Sequence, residues 1–423
     1  MVCAVLWTSL EMLHRLEALA GRRTVIKALA VLVAGAVGAQ AVSLALRATP
    51  DRTQPTWQEQ LANLSPIDNG ERFFQPLADG GRVELTLSPT LQRAADRLLV
   101  EYARPYAGAV LLSVDDGRVL ALSGRSTVEP DKSAAELTLR PWAPAASVFK
   151  LVTASALVES GVPAQAKVCY HGGTGSVEAD NLVDHPRLDR TCRTLAYGLA
   201  RSQNAILGRL AYDYLDSPTL QKVARAFDFG VPLELGVPVA PSEAELPADG
   251  LPFARVAAGF WQTSLSPLHG AYLAATLARG GETPPLRLVD RVVDGAGNSL
   301  RPLDAPSHRA VSVETARTVA NMMVGTTEFG SARIAFHDRR HGNRRALRGV
   351  AVAGKTGTLS RAEPYLGYSW FVGFAPAAHP EVAVAVLLGN GPDDHLRASE
   401  VARDLLAVYF TEHPVQSRHL AAR

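Results

Sequence analysis

The sequence predicts a mixed α+β domain: one antiparallel sheet flanked by helices, a helical lobe beside it, and one transmembrane helix ahead of it. Three observations predict this. Strand-like runs stand at both ends of the folded region, with helix-like runs between them. The links between the last strands, at 359–367 and 377–381, are short enough for antiparallel pairing and too short for crossovers. Residues Ala28–Leu46, "ALAVLVAGAVGAQAVSLAL", are nineteen in a row without a charge, about the length that spans a hydrocarbon core.

Arg15, Arg22, Arg23 and Lys27 precede the apolar segment, while only Arg47 and Arg52 follow closely. The positive-inside rule puts residues 1–27 in the cytoplasm, 28–46 in the inner membrane as a single pass, and everything later outside, in a periplasm. Two rival readings fit the same residues. One is a cleaved signal, since Ala39-Gln40-Ala41 suits a small-residue cleavage site; the other is a buried core helix. Met12 is an alternative start.

Residues 47–82 are polar and rich in proline, with Asp79-Gly80-Gly81 near their end, and read as a linker. The folded domain is expected at 83–412, with 413–423 as a tail. "VELTL" (83–87) reads as a strand. "SPTLQRAADRLLVEY" reads as a helix, with Ser88 as N-cap and Pro89 at its first position. Two apolar runs around Asp115-Asp116-Gly117 predict a hairpin. A helix follows over 147–160, stopped by Gly161. The stretch from about 190 to 280 is helical by pattern. Strands return at 350–358, 368–376 and 382–389, and "ASEVARDLLAVYF" closes the domain as a helix.

With 423 residues, 47% hydrophobic and 20% charged, the chain has room for one large domain or two medium ones. A net charge of +2, with no finger, RNA-binding or basic-zipper pattern, argues against a nucleic-acid partner. Basic residues between Arg333 and Arg348 read as a solvated loop, or as a site for an acidic partner or lipid headgroups. Cys169 and Cys192 would both lie outside the membrane, where they can pair; a closed loop of that size contributes about 3 kcal/mol. Two free buried thiols, or a metal site completed by His171 and His185, are the alternatives. Paired metal-ligand spacing is missing, so no metal and no cofactor is expected.

Lysine is scarce: six among 43 basic residues. Three short motifs hold two of the six. Ser147 and Lys150 are three apart at the head of a helix and share a face. A serine hydroxyl needs a base within reach, and a buried lysine can be that base while arginine cannot. In "LARSQNAILG", Ser202 and Asn204 flank Gln203 at a helix boundary; a cap is the plain reading, a proton relay and a peptide-binding amide the functional one. In "AVAGKTGTLS", an apolar strand ends in Lys355, Thr356, Gly357 and Thr358. The hydroxyls share a face, and Gly357 leaves room for another backbone. An extended peptide can pair with such an edge, its carboxylate held by the hydroxyls and Lys355.

In this order the three motifs resemble the signature of penicillin-binding proteins and serine β-lactamases. "LTLSPTLQRAADRLL", "WQTSLSPLHGAYLAATLARGG" and "SWFVGFAP" are similar to framework segments of the transpeptidase domain. The resemblance spans about residues 83–412 and implies a β-lactamase/transpeptidase-like fold. It also implies a peptidoglycan D,D-transpeptidase that cross-links stem peptides ending in D-alanyl-D-alanine and is inhibited by β-lactams. Ser147 would be the nucleophile, Lys150 its base, and Ser202 with Lys355 the relay to the departing nitrogen. Asn204 would bind the acyl side chain, and Thr356 and Thr358 the terminal carboxylate. The N–H groups of Ser147 and Thr358 would hold the oxyanion.

Only 36 residues separate the membrane segment from "VELTL". The resemblance therefore implies a minimal membrane-anchored transpeptidase, with no glycosyltransferase domain of its own and a membrane glycosyltransferase as the candidate partner. Other readings share the motifs: a D,D-carboxypeptidase, a β-lactamase, and a β-lactam sensor or division scaffold that acylates without turnover. Glu243 and Glu245 in "SEAELP" lack the neighbours expected of a deacylating base.

Overall fold

Every residue of the run VAVAVLLGN, Val382–Asn390, is buried. A strand apolar on both faces belongs in the middle of a sheet covered on both sides. The computed structural model describes residues 56–61, 64–337, 347 and 349–414, and it places this strand at the centre of five. The strands are β1 (Tyr106–Ser113), β2 (Val119–Ser126), β3 (Ala353–Arg361), β4 (Leu366–Ala375) and β5 (Val382–Asn390). Their order is β3-β4-β5-β1-β2, antiparallel throughout. Strands from both ends of the domain thus share one sheet, and β3 lies at its edge.

Period-two alternation divides β5 between two cores. Val382, Val384, Val386 and Leu388 face a core completed by helices α1 (Pro89–Tyr102) and α7 (Ala398–Glu412). Ala383, Ala385 and Leu387 face the larger core, which holds α5 (Pro267–Ala278). Helix α5 is buried all round from Pro267 to Leu277 and starts on Ser266, whose hydroxyl accepts from the His269 N–H. Gly270 lets it lie close: a Cβ there would stand 3.1 Å from Val372 and 3.2 Å from Ala385.

The helical lobe contains α3 (Leu195–Arg201), α4 (Asn204–Tyr214) and further helices at Ser217–Ala226 and Gly250–Ala257. Helix α2 (Lys150–Glu159) is buried at eight consecutive positions and packs against α4. Helix α6 (Val313–Glu328) packs on both α3 and β3, so it joins lobe to sheet.

Several expectations need correction. "VELTL" does not join the main sheet. Arg82–Leu85 pairs instead with Phe73–Pro76 and Val289–Val293 in a second five-stranded sheet. The alternation identified a strand but carries no information about its partner. The expected linker is also shorter than 47–82: the folded unit begins at Trp57, and Leu61, Leu64 and Phe73 are buried in the larger core. Ser88 occupies the N-cap position of α1, yet its side chain makes no capping bond. The apolar segment 28–46 and the tail from 415 lie outside the described residues, as do most of the arginines after Arg333. Among the described residues no helix is long and apolar enough to cross a membrane.

Candidate active site

Ser147 stands in a single 3₁₀ turn, Ala146–Val148, immediately before α2. Ala146 has φ of 50°, the left-handed region that a residue with a Cβ rarely enters, and such strain collects at functional sites. Neighbours enforce it. Gly259, at φ 81°, lies where a Cβ would stand 2.5 Å from the Ala146 carbonyl oxygen and 2.8 Å from the Ser147 Cα. The Trp370 Nε1–H donates to the Pro144 carbonyl at 2.9 Å, fixing the approach to the turn.

The motifs converge on this turn. Lys150 Nζ is 2.6 Å from Ser147 Oγ and 2.6 Å from Asn204 Oδ1. Lys355 Nζ donates to Ser202 Oγ at 2.8 Å and to the Thr356 carbonyl at 2.8 Å. Both lysines are completely buried. Burial, and then the charge of Lys355, push the Lys150 ammonium well below its ordinary range; burial brings Lys355 down to about 7. Among the described residues neither lysine has a carboxylate partner, so nothing nearby restores the charged form. A neutral Lys150 amine can take the Ser147 proton.

Ser202 closes α3 at φ 58° and ψ 37°, which turns its hydroxyl away from the helix axis and toward Lys355. Gly357 faces Ala146, where a Cβ would lie 3.3 Å away, so strand β3 runs directly beside the nucleophile turn. Thr356 and Thr358 line a cleft of about 620 Å³ that continues along β3.

Asn204 is held from two sides. Its amide oxygen accepts from Lys150 and its amide nitrogen donates to the Thr174 carbonyl at 2.8 Å. In this structure the side chain holds the base in place, and an amide nitrogen carries a second N–H that can donate to an acyl carbonyl while both bonds stand. Cys169 and Cys192 are joined as a disulfide across the Lys167–Tyr170 and Thr191–Thr194 hairpin, which removes the thiolate metal set. His171 pairs with Asp189 and Asp180 instead.

The scan against family models matches residues 107–407 to the penicillin binding protein transpeptidase domain. The chain belongs to this penicillin-binding protein family. The Mycobacterium tuberculosis peptidoglycan D,D-transpeptidase PbpA is 28% identical over 376 residues, covering 78% of this chain and 73% of the relative. The Mycolicibacterium smegmatis penicillin-binding protein PbpB is 26% identical over 350 residues, covering 76% of this chain and 52% of the relative. Among solved structures, the imipenem acyl-enzyme of M. tuberculosis penicillin-binding protein A has a TM-score of 0.65 at 24% identity, covering 78% of this chain and 80% of that one. The D,D-transpeptidase domain of an Eggerthella lenta peptidoglycan glycosyltransferase reaches 0.62 at 24% identity, covering 79% and 84%. These likenesses establish the penicillin-binding transpeptidase fold.

Sequence reasoning missed Ser331, whose hydroxyl is 2.5 Å from Thr356 Oγ1, and the Thr174 carbonyl that holds Asn204. Both sit in loops with no periodicity to read. Gly259 was equally hidden.

Proposed function

We propose that this protein is a peptidoglycan D,D-transpeptidase that works through a Ser147 acyl-enzyme. The observation that carries the reading is the convergence of Ser147, Lys150, Asn204, Ser202 and Lys355 through hydrogen bonds of 2.6–2.8 Å. Family membership and the M. tuberculosis relative, named a peptidoglycan D,D-transpeptidase, support it.

In the proposed reaction a donor stem peptide lies along β3, its terminal carboxylate on Thr356 and Thr358. Lys150 removes the Ser147 proton as Oγ attacks the penultimate D-alanine carbonyl. The Ser147 and Thr358 N–H groups hold the developing oxyanion. Lys355 and Ser202 deliver a proton to the departing D-alanine nitrogen, and its C–N bond breaks. An amine of a second stem peptide then attacks the ester, forming the cross-link and releasing Ser147. A β-lactam enters the same sequence and stops at the ester.

The same proposal places the domain outside the cytoplasmic membrane, tethered by residues 28–46. The Cys169–Cys192 disulfide supports an oxidising compartment. The glycan strands it would cross-link come from glycosyl transfer at the membrane, which makes a membrane glycosyltransferase the fitting neighbour.

The test is product analysis of the full chain in detergent, given a D-alanyl ester donor and an amine acceptor. Amide product that exceeds hydrolysis, and is lost in Ser147→Ala, supports transpeptidation. Hydrolysis alone at every acceptor concentration would reassign the protein as a carboxypeptidase.

A further inference from the structure

Arg193 and Arg201 converge on one phenol just outside the catalytic residues. The Arg193 guanidinium lies 5.3 Å from the centre of the Tyr197 ring. Both guanidiniums act on the Tyr197 phenol, Arg201 the most, and hold its pKa below the usual phenol range. Phe329 stacks on Tyr197 at 6.4 Å and 21°, and Arg201 Nη1 donates to the Phe329 carbonyl at 2.9 Å.

Two guanidiniums held together repel each other unless an anion sits between them. Here the hydrogen bonds of the pair go to backbone carbonyls, those of Cys192 and Phe329. Among the described residues no carboxylate pairs with either. Both arginines are exposed, and so is Phe329 at 49%. The result is an open anion site on an aromatic floor. A guanidinium pair suits a planar carboxylate, and the stacked rings suit the flat amides beside it.

The patch adjoins one particular end of the cleft. Arg201 is followed directly by Ser202, which bonds to Lys355. Phe329 is followed by Gly330 and Ser331; the Ser331 N–H donates to the Ala200 carbonyl at 3.1 Å, and its hydroxyl meets Thr356. Ser202, Lys355 and Thr356 mark where the leaving amine departs. Aminolysis of the ester is acylation run backward with a different amine, so the acceptor enters where the leaving group left.

We propose that Arg193 and Arg201, above the Tyr197–Phe329 stack, bind a carboxylate of the acceptor stem peptide and steer its amine to the Ser147 ester. The inference rests on the transpeptidase reading and deepens it. In the step it serves, the acceptor nitrogen bonds to the acyl carbon and the bond from that carbon to Ser147 Oγ breaks. The amine loses a proton to the Ser202–Lys355 pair, and Ser147 Oγ recovers one from Lys150.

The experiment follows partitioning of the acyl-enzyme formed by the full chain from a D-alanyl ester donor. Two acceptors compete with water: Nα-acetyl-lysine, which carries a free carboxylate, and its carboxamide. The wild type is expected to prefer the acid about fivefold, the size suited to exposed charge-assisted bonds, and added salt should erode the preference. Arg193→Gln/Arg201→Gln should use acid and amide equally, while Arg193→Lys/Arg201→Lys should keep part of the preference. Equal use of both acceptors by the wild type, or a preference that survives the glutamine pair, overturns the inference. Penicillin labelling of Ser147 in each variant separates the two levels of the account. Without a wild-type adduct the transpeptidase reading fails; with one, and no charge preference, this inference alone fails.

Discussion

Lys150 and Asn204, 54 positions apart in the chain, are joined by a 2.6 Å hydrogen bond from Nζ to Oδ1. The bond ties the head of α2 to the head of α4, and it leaves the lysine with two oxygen partners and no carboxylate. An ammonium would find little there to stabilise it; an amine finds its proton donor at Ser147.

Lys150→Arg should therefore abolish efficient acylation although it keeps a cation. A guanidinium does not deprotonate in a protein, and a positioned general base contributes about 10²–10⁴-fold. The rate of penicillin acylation, followed by stopped-flow fluorescence, should fall by at least ~10²-fold. An arginine variant within tenfold of wild type would remove Lys150 from the role of base.

Stability should rise with pH. The two lysines are held low in the folded protein, Lys355 at about 7 and Lys150 well below its ordinary value, both chiefly by burial. In the unfolded chain each keeps its proton up to about pH 10. Between about pH 7 and 10 the unfolded state binds more protons, so deprotonation favours the fold by about 1.4 kcal/mol per pH unit for each group. The urea midpoint should climb from pH 7 to 9, and Lys355→Met should flatten that climb by one proton's share. An unchanged slope in the methionine variant would contradict a buried, depressed Lys355.

Gly259→Ala should disable the nucleophile without touching a catalytic side chain. The new Cβ would meet the Ala146 carbonyl oxygen at 2.5 Å and the Ser147 Cα at 2.8 Å, from a backbone at φ 81°. The turn must shift or the glycine backbone must strain, at a cost of about 1–3 kcal/mol. Acylation should drop by tenfold or more, with a lower melting temperature. Wild-type acylation in this variant would show that the close approach does not position Ser147.

The sequence made the chemistry readable before the architecture. The three motifs were legible because proton transfer restricts which residue types can act: only a titratable base serves at 150, and only a hydroxyl at 202. The β4 and β5 strands, the hairpin at Asp115-Asp116-Gly117 and helix α5 followed from apolar runs of the right length bounded by turn and cap residues. Relations between distant segments were not legible. The pairing of Arg82–Leu85 with Val289–Val293, the contact of Gly259 with Ala146 and the bond from Ser331 to Thr356 each need two loops or edges to meet, and no local pattern encodes that.

The disulfide should act on stability and on the site together. Cys169 and Cys192 close a loop across a separation of 23 residues, which contributes about 3 kcal/mol by chain entropy. That loop contains Thr174, whose carbonyl holds Asn204. Cys169→Ser/Cys192→Ser should lose about that stability in denaturant titration and acylate more slowly. Full stability and full rate after both substitutions would leave the bond with neither role.

The most direct measurement is the intact mass of the full chain, followed in time after penicillin is added. The account predicts a covalent adduct on Ser147 that persists for minutes or longer and is absent from Ser147→Ala. An adduct that vanishes within seconds while the drug is consumed would make the protein a β-lactamase. No adduct at all would contradict an activated Ser147.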